Sequence, residues 1–161
     1  MGHIYSDNVE INAPCARVCA AMITVDKWSD WRKNLVDISI VSGSAFEQGL
    51  AWKEVRSIEG EEIGFDVVVT EFIEEESISL IVNGGKAGAR RGAAFFEYRF
   101  VDYDSSTTIH LDSKLDRLGW MRPFISPTHT RELLDLYRSD LQGLKAYIEN
   151  AEADNMSRHD F

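Results

Sequence analysis

Glu54 and Arg56 lie two apart in Trp52-Lys53-Glu54-Val55-Arg56, inside a run from Leu50 to Ile58 that reads as a strand. Alternation puts Trp52, Glu54 and Arg56 on one face and Ala51, Lys53 and Val55 on the other. If Trp52 points inward, an acid and a base are carried inside with it. They can then pair with each other, hold a polar group of a ligand, or let Glu54 act as a base once burial has raised its carboxyl. The opposite register leaves both charges in solvent and turns Lys53 inward, and the residues alone admit either. Tyr98 and Ser113 fall on the inner faces of two neighbouring strand-like runs, where hydroxyls suit ligand contacts. Tyr98 with Glu54 and Arg56 would make a candidate acid–base set.

The remaining reactive residue types point to less. Cys15 and Cys19 are four apart on an expected first helix, so their thiols share a face, where they could bind a metal or form a strained disulfide. His3, His110, His129 and His159 are scattered and none forms a pair at metal-ligand spacing, so no metal is expected and the cysteines read as small core residues. Nothing resembles a nucleophile elbow, and Gly84-Gly85-Lys86-Ala87 lacks the Lys-Ser or Lys-Thr pair of a phosphate loop. Lys86, Arg90 and Arg91, in the glycine-rich loop Asn83–Gly92, form either a solvated loop or a basic rim that draws an anionic head towards a pocket mouth.

The elements that must position these residues follow a simple order. His3 to Ile11 reads as a strand, with Asn12 or Ala13 as cap and Pro14 in the first turn of a helix whose apolar stripe holds Cys15, Val18, Cys19 and Met22. Val25 to Trp31 reads as a second short helix capped by Asp26. From Val36 the apolar period becomes two: Val36, Ile38 and Ile40 share a face, then come Leu50–Ile58, a turn at Glu59-Gly60-Glu61, Ile63–Phe72 as the longest strand, and Ile78, Leu80 and Val82. Phe96, Tyr98 and Phe100 alternate with Glu97 and Arg99, and Ile109, Leu111, Ser113 and Leu115 repeat the pattern across a hairpin turn at Asp102–Ser106. After a cap expected at Ser126 or Thr128, Leu133, Leu134, Tyr137, Leu141, Leu144 and Ile148 mark one long amphipathic helix. A curved antiparallel sheet with one long helix across it leaves an interior to be filled, so a cavity is expected.

This order resembles the START-like superfamily of polyketide cyclases and lipid-transfer proteins. The likeness rests on Val9-Glu10-Ile11-Asn12-Ala13-Pro14 feeding a helix, on Val25-Asp26-Lys27-Trp28-Ser29-Asp30-Trp31, on Gly49 with Trp52, and on the closing Gly143-Leu144-Lys145-Ala146-Tyr147-Ile148. The resemblance implies an α+β helix-grip fold: a curved antiparallel sheet of about six to seven strands wrapped around a long C-terminal helix, with two short helices after the first strand. It also implies one ligand-binding domain over residues 1–150, followed by a frayed polar tail at 151–161. The implied function is binding or carrying a small hydrophobic or aromatic metabolite or lipid in an internal cavity. The alternatives are an aromatase/cyclase or dehydratase-type enzyme using the same cavity, and a chaperone-activator-like interaction module. No catalytic motif comes with the resemblance, so Tyr98, Glu54 and Arg56 remain the candidates for chemistry. The expected lining is Trp28, Trp52, Phe65, Phe96, Tyr98, Leu111, Ser113, Trp120, Phe124, Tyr137 and Leu141, with Trp31 among the further rings.

Composition limits the partners. The 161 residues carry 17 Lys and Arg against 27 Asp and Glu, a net charge of -10, which argues against nucleic acid and anionic membrane surfaces. Hydrophobic residues make up 44% and charged residues 27%, an ordinary globular balance. No apolar run is long enough for a membrane span and the N-terminus lacks the pattern of a signal peptide, so a cytoplasmic protein is expected. It is expected to use no cofactor and to be a monomer or a homodimer, the dimer arising through an exposed edge strand.

Overall fold

In the computed structural model the described residues are 4–84, 93–116 and 127–159. Seven strands form one curved, wholly antiparallel sheet: β1 (Ile4–Ile11), β2 (Leu35–Ser42), β3 (Ala51–Ile58), β4 (Glu61–Ile73), β5 (Ser77–Gly84), β6 (Ala93–Asp102) and β7 (Thr107–Asp116). Their spatial order is β1-β7-β6-β5-β4-β3-β2, so every neighbouring pair but one is a sequence-adjacent hairpin. The exception is β1 with β7, where Ile4 pairs with Lys114 and Ile11 with Thr107. The turns have the required backbone: Glu59 and Gly60 both take positive φ, 52° and 82°, which matches the right-handed twist of β3 and β4 in a two-residue hairpin.

Between β1 and β2 come α1 (Cys15–Ile23) and a 3-10 helix (Val25–Asp30). Pro14 is itself the residue before α1, rather than lying in its first turn behind Asn12 or Ala13, because its extended φ and ψ of -63° and 152° place it outside the helix. Thr24, not Asp26, precedes the 3-10 helix, and neither helix has a side-chain cap hydrogen bond. Cys15 and Cys19 are buried free thiols; burial, with Asp102 and Glu75 nearby, pushes Cys15 up to about 11, and burial raises Cys19 too. Both stay protonated at neutral pH and so are poor metal ligands or nucleophiles.

The long helix, α2, runs from Pro127 to His159. Thr128 is therefore inside it, and residues 151–159, expected as a polar tail, continue the helix. The apolar stripe ends at Ile148, but Ala151, Glu152, Ala153, Met156 and Arg158 all have high helix propensity, and extension from a packed segment needs no stripe of its own. α2 buries Leu133, Leu134, Leu136, Tyr137, Leu141, Leu144 and Ile148 against the inner face of the sheet, where Ile11, Val67, Val82, Phe96 and Ile109 meet them. Lys145 Nζ donates to the Glu10 carbonyl at 2.6 Å, tying α2 to β1.

β2 departs from simple alternation. Its register shifts between Leu35 and Asp37 and again between Ile40 and Ser42. Val36, Ile38 and Ile40 consequently do not form a buried face; Val36 and Ile40 are 48% and 47% exposed on the outermost strand. An extra residue re-aims side chains, and such bulges concentrate at sheet edges.

Candidate functional site

β3 takes the register that carries charge inward. Trp52, Glu54, Arg56 and Ile58 are buried and Lys53 is exposed on the opposite face. Glu54 and Arg56 are wholly inaccessible to solvent. Two further charges make this possible. Arg32 leaves the 3-10 helix directly after Trp31, its backbone N–H donating to the Trp28 carbonyl at 2.8 Å, and Asp140 projects from the middle of the buried stripe of α2.

The four side chains close into one network. Arg32 Nη2 donates to both Glu54 carboxylate oxygens at 3.1 and 3.2 Å, and its Nε to Asp140 Oδ2 at 3.2 Å. Arg56 Nε donates to Glu54 Oε2 at 2.8 Å, while Nη1 and Nη2 bind Asp140 Oδ1 and Oδ2 at 3.1 and 2.6 Å in a fork. Trp52 Nε1 and the Tyr137 hydroxyl complete Glu54 at 2.9 and 3.1 Å. Asp140 also accepts the Lys33 N–H at 2.8 Å, and Arg56 Nη1 donates to the Lys33 carbonyl at 2.5 Å. Two positive and two negative charges thus cancel, each carboxylate held by several donors, which is the condition under which buried ions are tolerated.

The loop reaches α2 because residue 143 has no side chain. A methyl group at Gly143 would run into the Trp31 carbonyl oxygen, so glycine lets the chain at Trp31–Lys33 lie directly on the helix. Arg32 is further held over the rings of Trp28 and Tyr137, 4.9 and 5.3 Å from their centroids.

These surroundings fix the ionisation. Burial alone would raise the Glu54 carboxyl, but Arg32 and Arg56 beside it, with hydrogen bonds from Trp52 and Arg56, bring it down to about 2. Burial opposes the Arg32 charge, and Glu54 and Asp140 more than restore it. The expectation that burial makes Glu54 a base is therefore corrected: it is a fixed carboxylate with its lone pairs already engaged. Burial pushes the Tyr98 and Tyr137 hydroxyls upward, so both remain protonated.

Beside the network lies a cavity. Trp28, Trp31, Phe46 and Trp52 give it aromatic walls, Met22, Ile78, Leu80 and Leu141 add aliphatic ones, and Arg32, Tyr98 and Asp140 supply its polar groups. Trp28 meets Trp52 edge-on at 5.0 Å, and Phe46 from the β2–β3 loop packs on Trp28, Trp52 and Phe72. The empty space, counted out to the open mouth, is about 400 Å³. Phe46, half-buried on its loop, is the one lining residue among those described that is not fully buried.

Of the residues expected to line a site, Trp28, Trp31, Trp52, Tyr98 and Leu141 border this cavity. Phe65, Phe96, Leu111, Ser113 and Tyr137 are buried but do not border it; Tyr137 stacks on Phe96 at 4.1 Å and reaches Glu54 from behind. Trp120, Phe124, Ser126, Lys86, Arg90 and Arg91 lie outside the described residues, and of the loop expected at Asn83–Gly92 only Asn83 and Gly84 are described, as the end of β5. Arg32, Asp140, Phe46, Met22, Ile78 and Leu80 were not anticipated as lining. Asp140 had a signal, since it falls three after Tyr137 and four before Leu144, inside the apolar stripe. Arg32 follows an irregular turn and had none. Among the described residues no cluster of His, Cys, Asp or Glu has the arrangement of a metal site, and no helix is long and apolar enough to cross a membrane.

Solved structures match this architecture over nearly its whole length. Ara h 8.0201 superposes with a TM-score of 0.74 at 12% identity, covering 93% of this chain and 99% of its own. A START superfamily protein from Mycobacterium smegmatis gives 0.71 at 15%, covering 93% and 99%. The Zhui aromatase/cyclase from Streptomyces sp. R1128 gives 0.72 at 15%, covering 92% and 94%. The chain has the START-like, helix-grip fold. No family model matches the sequence, and no curated protein matches it either. At such identities the likeness carries the fold alone.

Proposed function

We propose that this protein binds a small hydrophobic or aromatic molecule in the cavity between the sheet and α2, as a carrier or receptor rather than as a catalyst. The observation that carries the reading is the aromatic enclosure of Trp28, Trp31, Phe46 and Trp52 set beside polar groups that are few and fixed. Large rings give a guest its buried area, and Tyr98 gives it an orienting contact. An enzyme in the same cavity would need a free general base, and both network carboxylates are bound by arginine with their oxygens engaged. The carrier reading needs no cofactor and fits a cytoplasmic protein acting as a monomer or homodimer.

Native mass spectrometry of the freshly purified protein, followed by analysis of released small molecules, tests it. A stoichiometric apolar compound, or a rise in melting temperature with one-ring and two-ring aromatics, is the expected result. An empty protein indifferent to all of them overturns the reading.

A further inference from the structure

The cavity also restricts the chemistry of its guest, an inference that rests on the binding reading above. An arginine in an aromatic pocket suggests an anion site, but Arg32 already serves two carboxylates: its Nε donates to Asp140 and its Nη2 to Glu54, which leaves Nη1 as its remaining donor. Asp140 borders the same cavity, so an entering carboxylate meets a cation and an anion together. Across Arg32, Arg56, Glu54 and Asp140 the charges sum to zero, and an anion would lose its hydration with no net positive charge to replace it. The outer charge of -10 repels it further.

What the cavity has to spare is hydrogen-bond donors. Trp31, 8% exposed, borders it, and its Nε1–H is buried without a partner. An indole nitrogen can only donate. Tyr98, buried, borders the same cavity, and burial keeps its hydroxyl protonated and able to donate. A buried donor without a partner costs free energy that a suitable guest recovers.

We propose that the guest is a neutral ring compound presenting a hydrogen-bond acceptor, such as a carbonyl, to Trp31 and Tyr98, and that the cavity selects against the corresponding carboxylates and against hydrocarbons of equal size. The selection is built from the unpartnered Trp31 indole donor and the protonated Tyr98 hydroxyl beside a self-neutralised ion network. Its scale is that of one to two recovered hydrogen bonds, about tenfold in affinity.

The test compares acetophenone, benzoate and ethylbenzene, matched in size, by NMR titration of the intact protein followed at the tryptophan indole N–H signals. Expected is binding of acetophenone about tenfold tighter than either other probe, with the Trp31 indole proton moving downfield for the ketone alone. Trp31→Phe and Tyr98→Phe should lower the ketone affinity towards that of ethylbenzene while leaving the hydrocarbon unchanged. Equal binding of all three, or tighter binding of benzoate, overturns the selectivity and leaves the container standing. Binding of none removes both. The three-probe comparison on the unaltered protein decides the question even if a variant does not fold.

Discussion

β3 and β7 occupy opposite sides of the same sheet and face the same helix, yet they meet it with opposite chemistry. β7 presents Ile109, Leu111 and Ser113, and its contribution is mainly transfer of apolar surface from water. β3 presents Trp52, Glu54 and Arg56, and two of those three are ions that are tolerable only because Arg32 and Asp140 arrive from other elements. One side is held by area, which tolerates approximation. The other is held by stoichiometry, which does not.

Removing one partner should therefore be costlier on the β3 side. Glu54→Gln leaves two buried arginines facing one carboxylate, and a loss of about 3–5 kcal/mol in urea unfolding is expected; a loss below about 1 kcal/mol would break the contrast. On the β7 side, Leu111→Ala should cost about 3 kcal/mol through lost burial and a residual cavity, and its cost should not change between pH 7 and pH 3.

Acid should separate the two sides further. Glu54 is held at about 2 against its usual 4.5, so its contribution is fully present above the unfolded value and is lost as pH falls from about 4.5 towards 2. The loss should reach on the order of 3 kcal/mol by the acid end of that window. Unfolding free energies measured across pH 2–6 should show this slope in the natural protein and a shallower one in Glu54→Gln. An unchanged slope would assign the acid sensitivity elsewhere.

The smallest expected effect is the most specific. Gly143→Ala gains helix propensity, about 1 kcal/mol, but drives a methyl group into the Trp31 carbonyl. A net loss of about 1–2 kcal/mol is expected, with the Trp31 indole signal shifted because the loop must lift. A more stable protein would show that the loop has room to retreat.

The same contrast explains what the residues revealed in advance. The inward faces of β6 and β7 were legible because Phe96, Tyr98 and Phe100 alternate with Glu97 and Arg99, and Ile109 and Leu111 with His110 and Asp112, and α2 was legible from its stripe. β3 was not, because alternation tells one face from the other and leaves their destinations open when both carry charge. Only the arrival of Arg32 and Asp140 decides that, and those contacts span 22 and 84 residues of sequence. Phe46 sits in a loop with no period to read, and the bulges of β2 erased a face that looked regular. The fold was thus written in local patterns, whereas the site was written in pairings between distant residues.

The pairing of β1 with β7 has a consequence for how the molecule is made. β1, which ends at Ile11, has no strand partner until Thr107 and the residues after it exist. At roughly 5–20 residues per second, the interval is on the order of 5–20 s on the ribosome. The edge of β1 therefore closes only through a contact of long sequence separation, the kind of pairing that slows folding relative to the adjacent hairpins of the rest of the sheet.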